Sequence, residues 1–284
     1  MTRRRDIRRT PKRAGLAIER AIGLGLGLAL AAAAPASAQT AGQNAAWDVG
    51  QRAPSLNFYG ATGLIDMPSG EAQPDGQISA TVSHFGGITR TTLSFQITKR
   101  LSGSFRYAGS ENLNFFGFDT YYDRSFDLRY RVLDEGRYMP AITVGLQDFV
   151  GTGLYSAEYI AATKHLRPDL KVTAGLGWGR LGSYGDIGQT GDRPPVTPAS
   201  IEWQATDRLG LKLEYSSDVY DLEDRRRGII DRKSPWNVGL EYQLTDGVRL
   251  GAYYLYGSEF GVSAQIAFNP KRPPNGSGLE RGGL

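Results

Sequence analysis

Residues Pro235–Asn269 read PWNVGLEYQLTDGVRLGAYYLYGSEFGVSAQIAFN, and this stretch decides the fold. Apolar side chains occupy every second position of its first segment, at Trp236, Val238, Leu240, Tyr242 and Leu244. The last segment repeats the pattern at Phe260, Val262, Ala264, Ile266 and Phe268. A period of two is that of a β-strand with one apolar face, and short turns between such strands favour antiparallel pairing.

The same alternation extends through most of the chain and predicts twelve strands. Their approximate bounds are Gly76–Phe85, Arg90–Thr98, Leu101–Gly109, Ser125–Leu133, Pro140–Phe149, Tyr155–His165, Leu170–Arg180, Ala199–Thr206, Leu209–Asp218, Pro235–Leu244, Val248–Tyr256 and Phe260–Asn269. Most of them are close to the ~9–11 residues that a tilted strand needs to cross a bilayer.

The links between these strands are of two kinds. The long, polar links ENLNFFGFDTYYDR, GSYGDIGQTGDRPPVTP and YDLEDRRRGIIDRK all follow odd-numbered strands, and every even-numbered link is short. Outer-membrane barrels have short periplasmic turns and longer extracellular loops. We therefore predict an all-β fold, a transmembrane up-and-down antiparallel β-barrel of about 12 strands over residues 76–269. A soluble periplasmic β protein is the alternative.

The segments outside the predicted barrel have other compositions. Residues 1–38 combine a basic start, the apolar run AIGLGLGLALAAAA and the sequence Ala36-Ser37-Ala38. This combination is typical of a signal peptide that is cleaved before Gln39. We interpret residues 39–75 as an N-terminal periplasmic segment and residues 270–284 as a disordered C-terminal tail.

Composition excludes several classes of site. The whole chain carries +4, but residues 1–38 carry +6 and the remainder −2, so the basic balance does not indicate nucleic-acid binding. The chain has no cysteine and two histidines, and it lacks HExxH, Walker and GxSxG motifs. Gly175-x-Gly177-x-Gly179 lies inside a strand, where small residues make room in a barrel. We predict no catalytic residue, no metal and no cofactor.

Charged side chains on the polar faces of the strands are expected to line the lumen. They are Arg106, Asp127, Arg129, Arg131, Glu158, Glu202, Lys212, Glu214, Glu241 and Arg249. Basic residues concentrate on the third and fourth strands and glutamates on the sixth to tenth. This distribution predicts either a transverse field that orients a permeant or a network of ion pairs that fills a closed lumen.

Two further groups of residues carry specific hypotheses. Aromatic side chains of the first long link could stack on sugar rings or pack over the barrel mouth. They are Phe115, Phe116, Phe118, Tyr121 and Tyr122. The last strand has the spacing of a barrel-assembly signal at Gly261, Ala264, Ile266 and Phe268. The same four residues are also what any lipid-facing final strand would contain.

Longer segments resemble a known family. They are NFYGATGLIDMPSGEAQPDGQISATVSHF (Asn57–Phe85), SFDLRYRVLDEGRYMPAITVGLQDFVGTGLYSAEYIAATKHL (Ser125–Leu166), LKVTAGLGWGRLG (Leu170–Gly182) and FNPKRPP (Phe268–Pro274). They closely resemble the first-barrel region of the YjbH family. The resemblance implies an outer-membrane protein associated with exopolysaccharide or capsule biosynthesis and export.

The resemblance and the barrel pattern together give an expected function. We expect a non-enzymatic protein of the bacterial outer membrane that assists export or surface presentation of an extracellular polysaccharide. Its expected partners are outer-membrane lipid, the polysaccharide, the barrel-assembly machinery and other exopolysaccharide export proteins, without nucleic acid. The alternatives are a general small-solute porin and a barrel-embedded hydrolase, for which Asp127, Glu158, His84 and His165 are the candidate residues.

Overall fold

The computed structural model describes residues 53–115, 118–182, 198–220, 223 and 228–271. All of them belong to the compact unit Asn44–Leu284, and the unit Met1–Gln43 lies outside the described residues. The predicted signal peptide (1–38) and all but the first two residues of the predicted tail (270–284) therefore also lie outside them.

Twelve strands form where the alternation predicts them. They are β1 Ile78–Phe85, β2 Ile88–Gln96, β3 Leu101–Phe115, β4 Phe118–Leu133, β5 Ala141–Gly151, β6 Ala157–Arg167, β7 Leu170–Gly179, β8 Ala199–Gln204, β9 Leu209–Tyr215, β10 Trp236–Thr245, β11 Val248–Leu255 and β12 Glu259–Phe268. A 3-10 turn at Arg180–Gly182 follows β7. Within the described ranges, no helix has the length and apolar character that a membrane span requires.

Each strand pairs antiparallel with its neighbours in sequence, and the sheet closes on itself. β12 pairs with the whole of β1, from Ile78 opposite Phe268 to Phe85 opposite Gly261. Closure gives each of the twelve strands a neighbour on both sides, as a sheet in lipid requires. The predicted up-and-down barrel of about 12 strands is confirmed.

The two faces of the sheet differ as the alternation predicts. On β10, Val238 and Leu240 point outward and are each 44% exposed, whereas Asn237 and Glu241 are buried on the inner face. Outward apolar side chains recur on the other strands, from Val82 on β1 round to Ile266 on β12. So large an apolar exterior suits lipid and would be unusual for a soluble protein.

The third and fourth strands are longer than predicted. Residues 110–124 are not a loop, because Ser110 pairs with Tyr121 and Glu111 with Thr120, and Phe115 pairs with Phe118 across the turn. β2 ends opposite Ser110 and β5 ends opposite Ser125, so the β3–β4 hairpin projects beyond its neighbours. Aromatic residues favour strands, and this segment is rich in them, with Phe115, Phe118, Tyr121 and Tyr122, which explains the difference.

The barrel has two distinct ends. The short links 97–100, 134–140, 168–169, 205–208 and 246–247 share one end, which we call the turn end. The β3–β4 hairpin and the links 180–198 and 216–235 share the opposite end, which we call the loop end.

Candidate functional site in the filled lumen

Residues 53–77 lie inside the barrel, and we call them the plug. Hydrogen bonds join the plug to β1–β9, β11 and β12. The plug residues Phe58, Tyr59, Leu64, Ile65 and Met67 are at most 1% exposed. The interpretation of residues 39–75 as a periplasmic segment was therefore wrong for the part that the structure describes. The sequence of these residues has no strand periodicity, and their apolar side chains are buried inside the lumen.

A carboxylate on the barrel wall holds the tip of the plug. Glu214 on β9 accepts hydrogen bonds from the backbone N–H groups of Ile65, Asp66 and Met67, at 2.9, 3.0 and 3.1 Å. Asn237 also donates to Glu214, at 3.2 Å. A carboxylate that accepts several N–H donors makes charge-assisted bonds, which are the strong kind.

Other polar side chains of the wall hold the plug at its two flanks. Gln265 on β12 accepts from the N–H of Leu56 at 3.2 Å and donates to its carbonyl at 2.7 Å. On the other side, the hydroxyl of Thr143 donates to the carbonyl of Gly70 at 2.8 Å. The hydroxyl of Thr163 accepts from the N–H of Gly70, also at 2.8 Å. The plug is thus held mainly by polar bonds to its backbone, in the way that a barrel binds a peptide ligand.

Nine of the ten predicted lumen charges do lie on the inner face, and most are paired locally. Arg106 contacts Asp127 at 2.8 Å, and Lys212 contacts Glu241 at 2.7 Å. Glu241 also lies 3.8 Å from Arg249. Glu202 lies 3.4 Å from Lys171 and 3.9 Å from Lys212. Both signs therefore share the same wall, which corresponds to the alternative of a network that fills the lumen rather than to a transverse field.

One of the ten residues lies on the outer face, and one lies on the inner face but at the turn end. The register places Glu158 beside Leu146 and Trp178, on the outward face that it shares with Ile160, so its assignment to the lumen was wrong. A slip of one residue in strand phase is enough to change the face. Arg131 lies at the turn end, where it pairs with Asp134 at 2.9 Å.

A layer of arginine and tyrosine side chains closes the loop end. The guanidinium groups of Arg90 and Arg106 both lie over the ring of Tyr59, with their central carbons 4.4 and 4.8 Å from the ring centroid. Arg180 lies over Tyr155 and Tyr220 in the same manner, at 4.8 and 4.5 Å. Cation–π contacts of this kind gain strength when they are desolvated.

The space that remains lies toward the turn end. A cavity of about 430 Å³ opens there, between the plug residues Ala53 and Gln73 and the wall residues Arg249 and Gln265. A narrower polar gap of about 20 Å³, room for one water, continues between the plug and the inner faces of β1–β4. Arg129 is among the residues that line this gap.

Several residues of this site were missed at the level of sequence. Arg90 and Gln265 sit at positions where strand alternation points inward, so the same pattern that identified Arg106 could have identified them. Lys171 likewise alternates with apolar neighbours on β7. The plug itself had one signal, the unexplained apolar residues of LNFYGATGLIDM, Leu56–Met67.

The remaining candidates fall in different places. Phe116 lies outside the described residues, and Phe115 and Phe118 are the last and first residues of β3 and β4. Tyr122 is 58% exposed and stacks on the outward-facing Tyr107, so it extends the exterior, while Tyr121 has the inward phase of Asp123. Gly261 faces the plug, where an added Cβ would lie 3.0 Å from the ring of Phe58, and Ala264, Ile266 and Phe268 face outward.

The four hydrolase candidates are not brought together. Asp127 is bonded to Arg106 in the lumen, whereas His84 is on the outer face beside Thr89. His165 contacts Glu135 at the turn end. In the described part of the chain, no group of three His, Cys, Asp or Glu residues is arranged to hold a metal.

Comparison with known proteins gives a family. Residues 55–282 match the family model YjbH, described as an exopolysaccharide biosynthesis protein. The uncharacterized lipoprotein YjbH of Escherichia coli (strain K12) is 30% identical over 255 residues, which are 78% of this chain and 36% of that protein. This chain thus spans about a third of that relative.

Two solved structures are also similar. The KdgM porin matches with a TM-score of 0.42 and 12% identity, covering 68% of this chain and 99% of that one. An outer membrane channel from Pseudomonas putida F1 matches with a TM-score of 0.36 and 13% identity, and the match covers 72% of this chain and 100% of that one. The match over residues 55–282 assigns this plugged, twelve-stranded barrel to the YjbH family of exopolysaccharide biosynthesis proteins.

Proposed function

We propose that this protein resides in the bacterial outer membrane and assists export or surface presentation of an exopolysaccharide, without catalysing a reaction. Membership of the exopolysaccharide biosynthesis family supports an exopolysaccharide as the cargo. The apolar exterior of the barrel supports a location in the outer membrane. The observation that carries the proposal is a polar lumen that the chain's own plug fills. A barrel closed in this way is suited to passing cargo only on demand.

The proposal separates two modes of action. In export, the plug moves aside and the polymer passes through the lumen from the turn end. In presentation, the plug stays and the loop end holds the polymer outside. The cavity of about 430 Å³ at the turn end favours export, because it offers an open entrance on one side of the plug. Other export proteins would then dock at the turn end.

Gene deletion tests the function as a whole. We expect a strain that lacks this protein to release and retain much less exopolysaccharide, measured as acid-hydrolysed sugar in the cell-bound and soluble fractions. Expression of the intact gene should restore the amount, and expression of a variant without β12 should not. Unchanged polysaccharide in both fractions would contradict the proposal.

A general small-solute porin is the second candidate, because the fold is a closed barrel with a polar interior. The plug argues against it, since small sugars would have to pass a lumen that is filled at its loop end. Liposomes that contain the protein should therefore swell little faster in arabinose than liposomes without it. Fast swelling that depends on sugar size would favour the porin instead.

A further inference from the structure

Three arginines on neighbouring strands form a diagonal row on the inner wall, and we call Arg90, Arg106 and Arg129 the arginine row. The register puts Arg106 opposite Thr92 and Arg129 opposite Ser102. The row therefore runs from near the loop end toward the turn end over about 20 Å, at the rise of a β-strand. All three side chains are buried, Arg90 and Arg106 almost completely.

The guanidinium groups of the arginine row have more N–H donors than the residues around them supply acceptors. Arg106 pairs with Asp127, but neither Arg90 nor Arg129 forms an ion pair with any described carboxylate. Four buried guanidinium nitrogens of the row also have no hydrogen-bond partner among the described residues: Nη1 of Arg90 and Nε of all three arginines. Burying charged donors without acceptors costs free energy, so stability alone does not account for the row.

Apart from the carboxylate of Asp127 and the hydroxyl of Tyr220, the acceptors of the row belong to the plug, and these plug acceptors are uncharged. Arg129 donates to the carbonyl of Ser69 at 2.7 Å and to the hydroxyl of Thr62. Arg106 reaches the carbonyl of Tyr59 at 3.5 Å. Arg90 reaches only tyrosine hydroxyls, at 3.4 Å. Carboxylates make stronger bonds to guanidinium than these neutral oxygens do, and they accept from two nitrogens at once.

We propose that the arginine row is a binding site for an anionic saccharide chain, whose carboxylate groups take the positions that neutral oxygens of the plug hold. The inference rests on the proposed function and names the class of polymer, a uronate-rich one. Departure of the plug would also remove the ring of Tyr59, which contacts both Arg90 and Arg106, and would leave space for a sugar ring beside the two guanidinium groups.

The structure offers a route to this site. The polar gap beside the plug is lined by Ser79, Ser94 and Ser104 and ends at Arg129. It shares the residues Leu56, Gln73 and Ser79 with the cavity at the turn end. A chain that enters from the turn end would therefore meet Arg129 first and the other two arginines as the plug gives way.

Direct binding tests the proposal. The purified full chain in detergent is titrated calorimetrically with alginate oligosaccharides, which carry a carboxylate on each sugar, and with dextran oligosaccharides of the same length, which are neutral. We expect alginate to bind more tightly than dextran, with an affinity that falls as salt is raised. Equal affinities for the two probes would overturn the proposal.

Variants locate the site. Arg129→Gln should weaken alginate binding about tenfold, the scale of a lost hydrogen bond between charged groups. Arg129→Lys, which keeps the charge and is the milder change for folding, should weaken it by several-fold since it loses the two-pronged geometry. Arg137→Gln, in the exposed link 134–140 at the turn end and outside the lining of the cavity, is the matched control and should change affinity less than about twofold. Equal effects at Arg129 and Arg137 would overturn the proposal.

A second pair of variants tests the competition with the plug. Glu214→Gln weakens the bonds to the tip of the plug and should tighten alginate binding, whereas Glu241→Gln, an acid that contacts the wall only, should not. No gain in Glu214→Gln would count against displacement of the plug. If deletion of the gene abolishes polysaccharide but alginate does not bind, this inference fails and the proposed function stands. Normal polysaccharide in the deletion strain overturns the proposed function whatever alginate does.

Discussion

Glu135 anchors the link between β4 and β5 at the turn end. Its carboxylate accepts from Lys164 Nζ at 2.7 Å, from the backbone N–H of His165 at 2.8 Å, and contacts His165 Nδ1 at 2.7 Å. Although burial opposes ionisation, these hydrogen bonds lower the pKa of Glu135 to about 2. A carboxylate with a depressed pKa stabilises the fold at pH values above its unfolded pKa, and this contribution is lost as the pH falls toward 2.

This gives a pH-dependent prediction. Glu135→Gln should reduce the free energy of unfolding by about 1 kcal/mol above pH 5, a value discounted because the group is partly exposed to solvent. The difference from the unchanged protein should shrink as the pH falls from about 4.5 toward 2. Urea unfolding in lipid vesicles, followed by tryptophan fluorescence, measures it. Asp246→Asn, on the exposed β10–β11 turn, is the control, and a constant difference at all pH values would contradict the assignment.

Leu240 and Gly239 test the two faces of one strand. Leu240 points outward beside Leu211, so Leu240→Arg should cost roughly 2–4 kcal/mol if the site is near the middle of the bilayer. Gly239 faces inward, where an added Cβ would lie 2.2 Å from the ring of Tyr253, so Gly239→Arg should fail by crowding the lumen. The loss of folding stability in Leu240→Arg should be smaller in a detergent whose alkyl chain is shorter. Asp207→Arg, at the turn end, is the control.

At the scale of the element, β12 closes the barrel. It pairs residue by residue with β1, from Phe268 opposite Ile78 to Gly261 opposite Phe85. Truncation after Asn269 should leave a membrane-inserted barrel that shifts on heating in gel electrophoresis. Truncation after Glu259 leaves two strand edges without partners, which lipid cannot satisfy, and that product should be degraded. Insertion of the shorter product would show that β12 is not needed for closure.

The strands and the plug differ in how they are stabilised. Each strand is specified by its own period of two, and residue pairing then follows from neighbours in sequence. The plug is specified by no period, and its bonds come from strands far along the chain, such as Gln265, which lies 209 residues from Leu56. Its apolar residues also complete the core at the loop end, where Phe58 stacks on Phe85 at 5.2 Å.

At the scale of the whole molecule, the two ends of the barrel predict its orientation. Long links gather at the loop end, so this end should face the outside of the cell. Epitope tags inserted at Gly191 and Arg226, both outside the described residues, should be detected by antibody on intact cells. A tag in the link 246–247 should be detected only after the outer membrane is broken. The reverse result would show that the barrel is inserted the other way.

The sequence by itself determined the barrel. Alternation fixes which side chains meet lipid, because the period of a strand is local and strict, and sequential pairing then gives the topology. Hence the strands and the inward position of residues such as Arg106 and Glu214 were predictable. The error at Glu158 shows the limit of this reasoning, since a phase error of one residue reverses the face.

Only the tertiary structure decided what fills the lumen. The charged residues of the wall and the apolar residues of the plug are far apart in the sequence. Neither pattern predicts that the two segments come into contact. Their meeting depends on closure of the sheet, which creates an enclosed polar surface with unsatisfied groups on all sides. The plug satisfies many of those groups with its backbone, and it thereby decides between the two alternatives that the sequence left, a lumen for a permeant and a filled lumen.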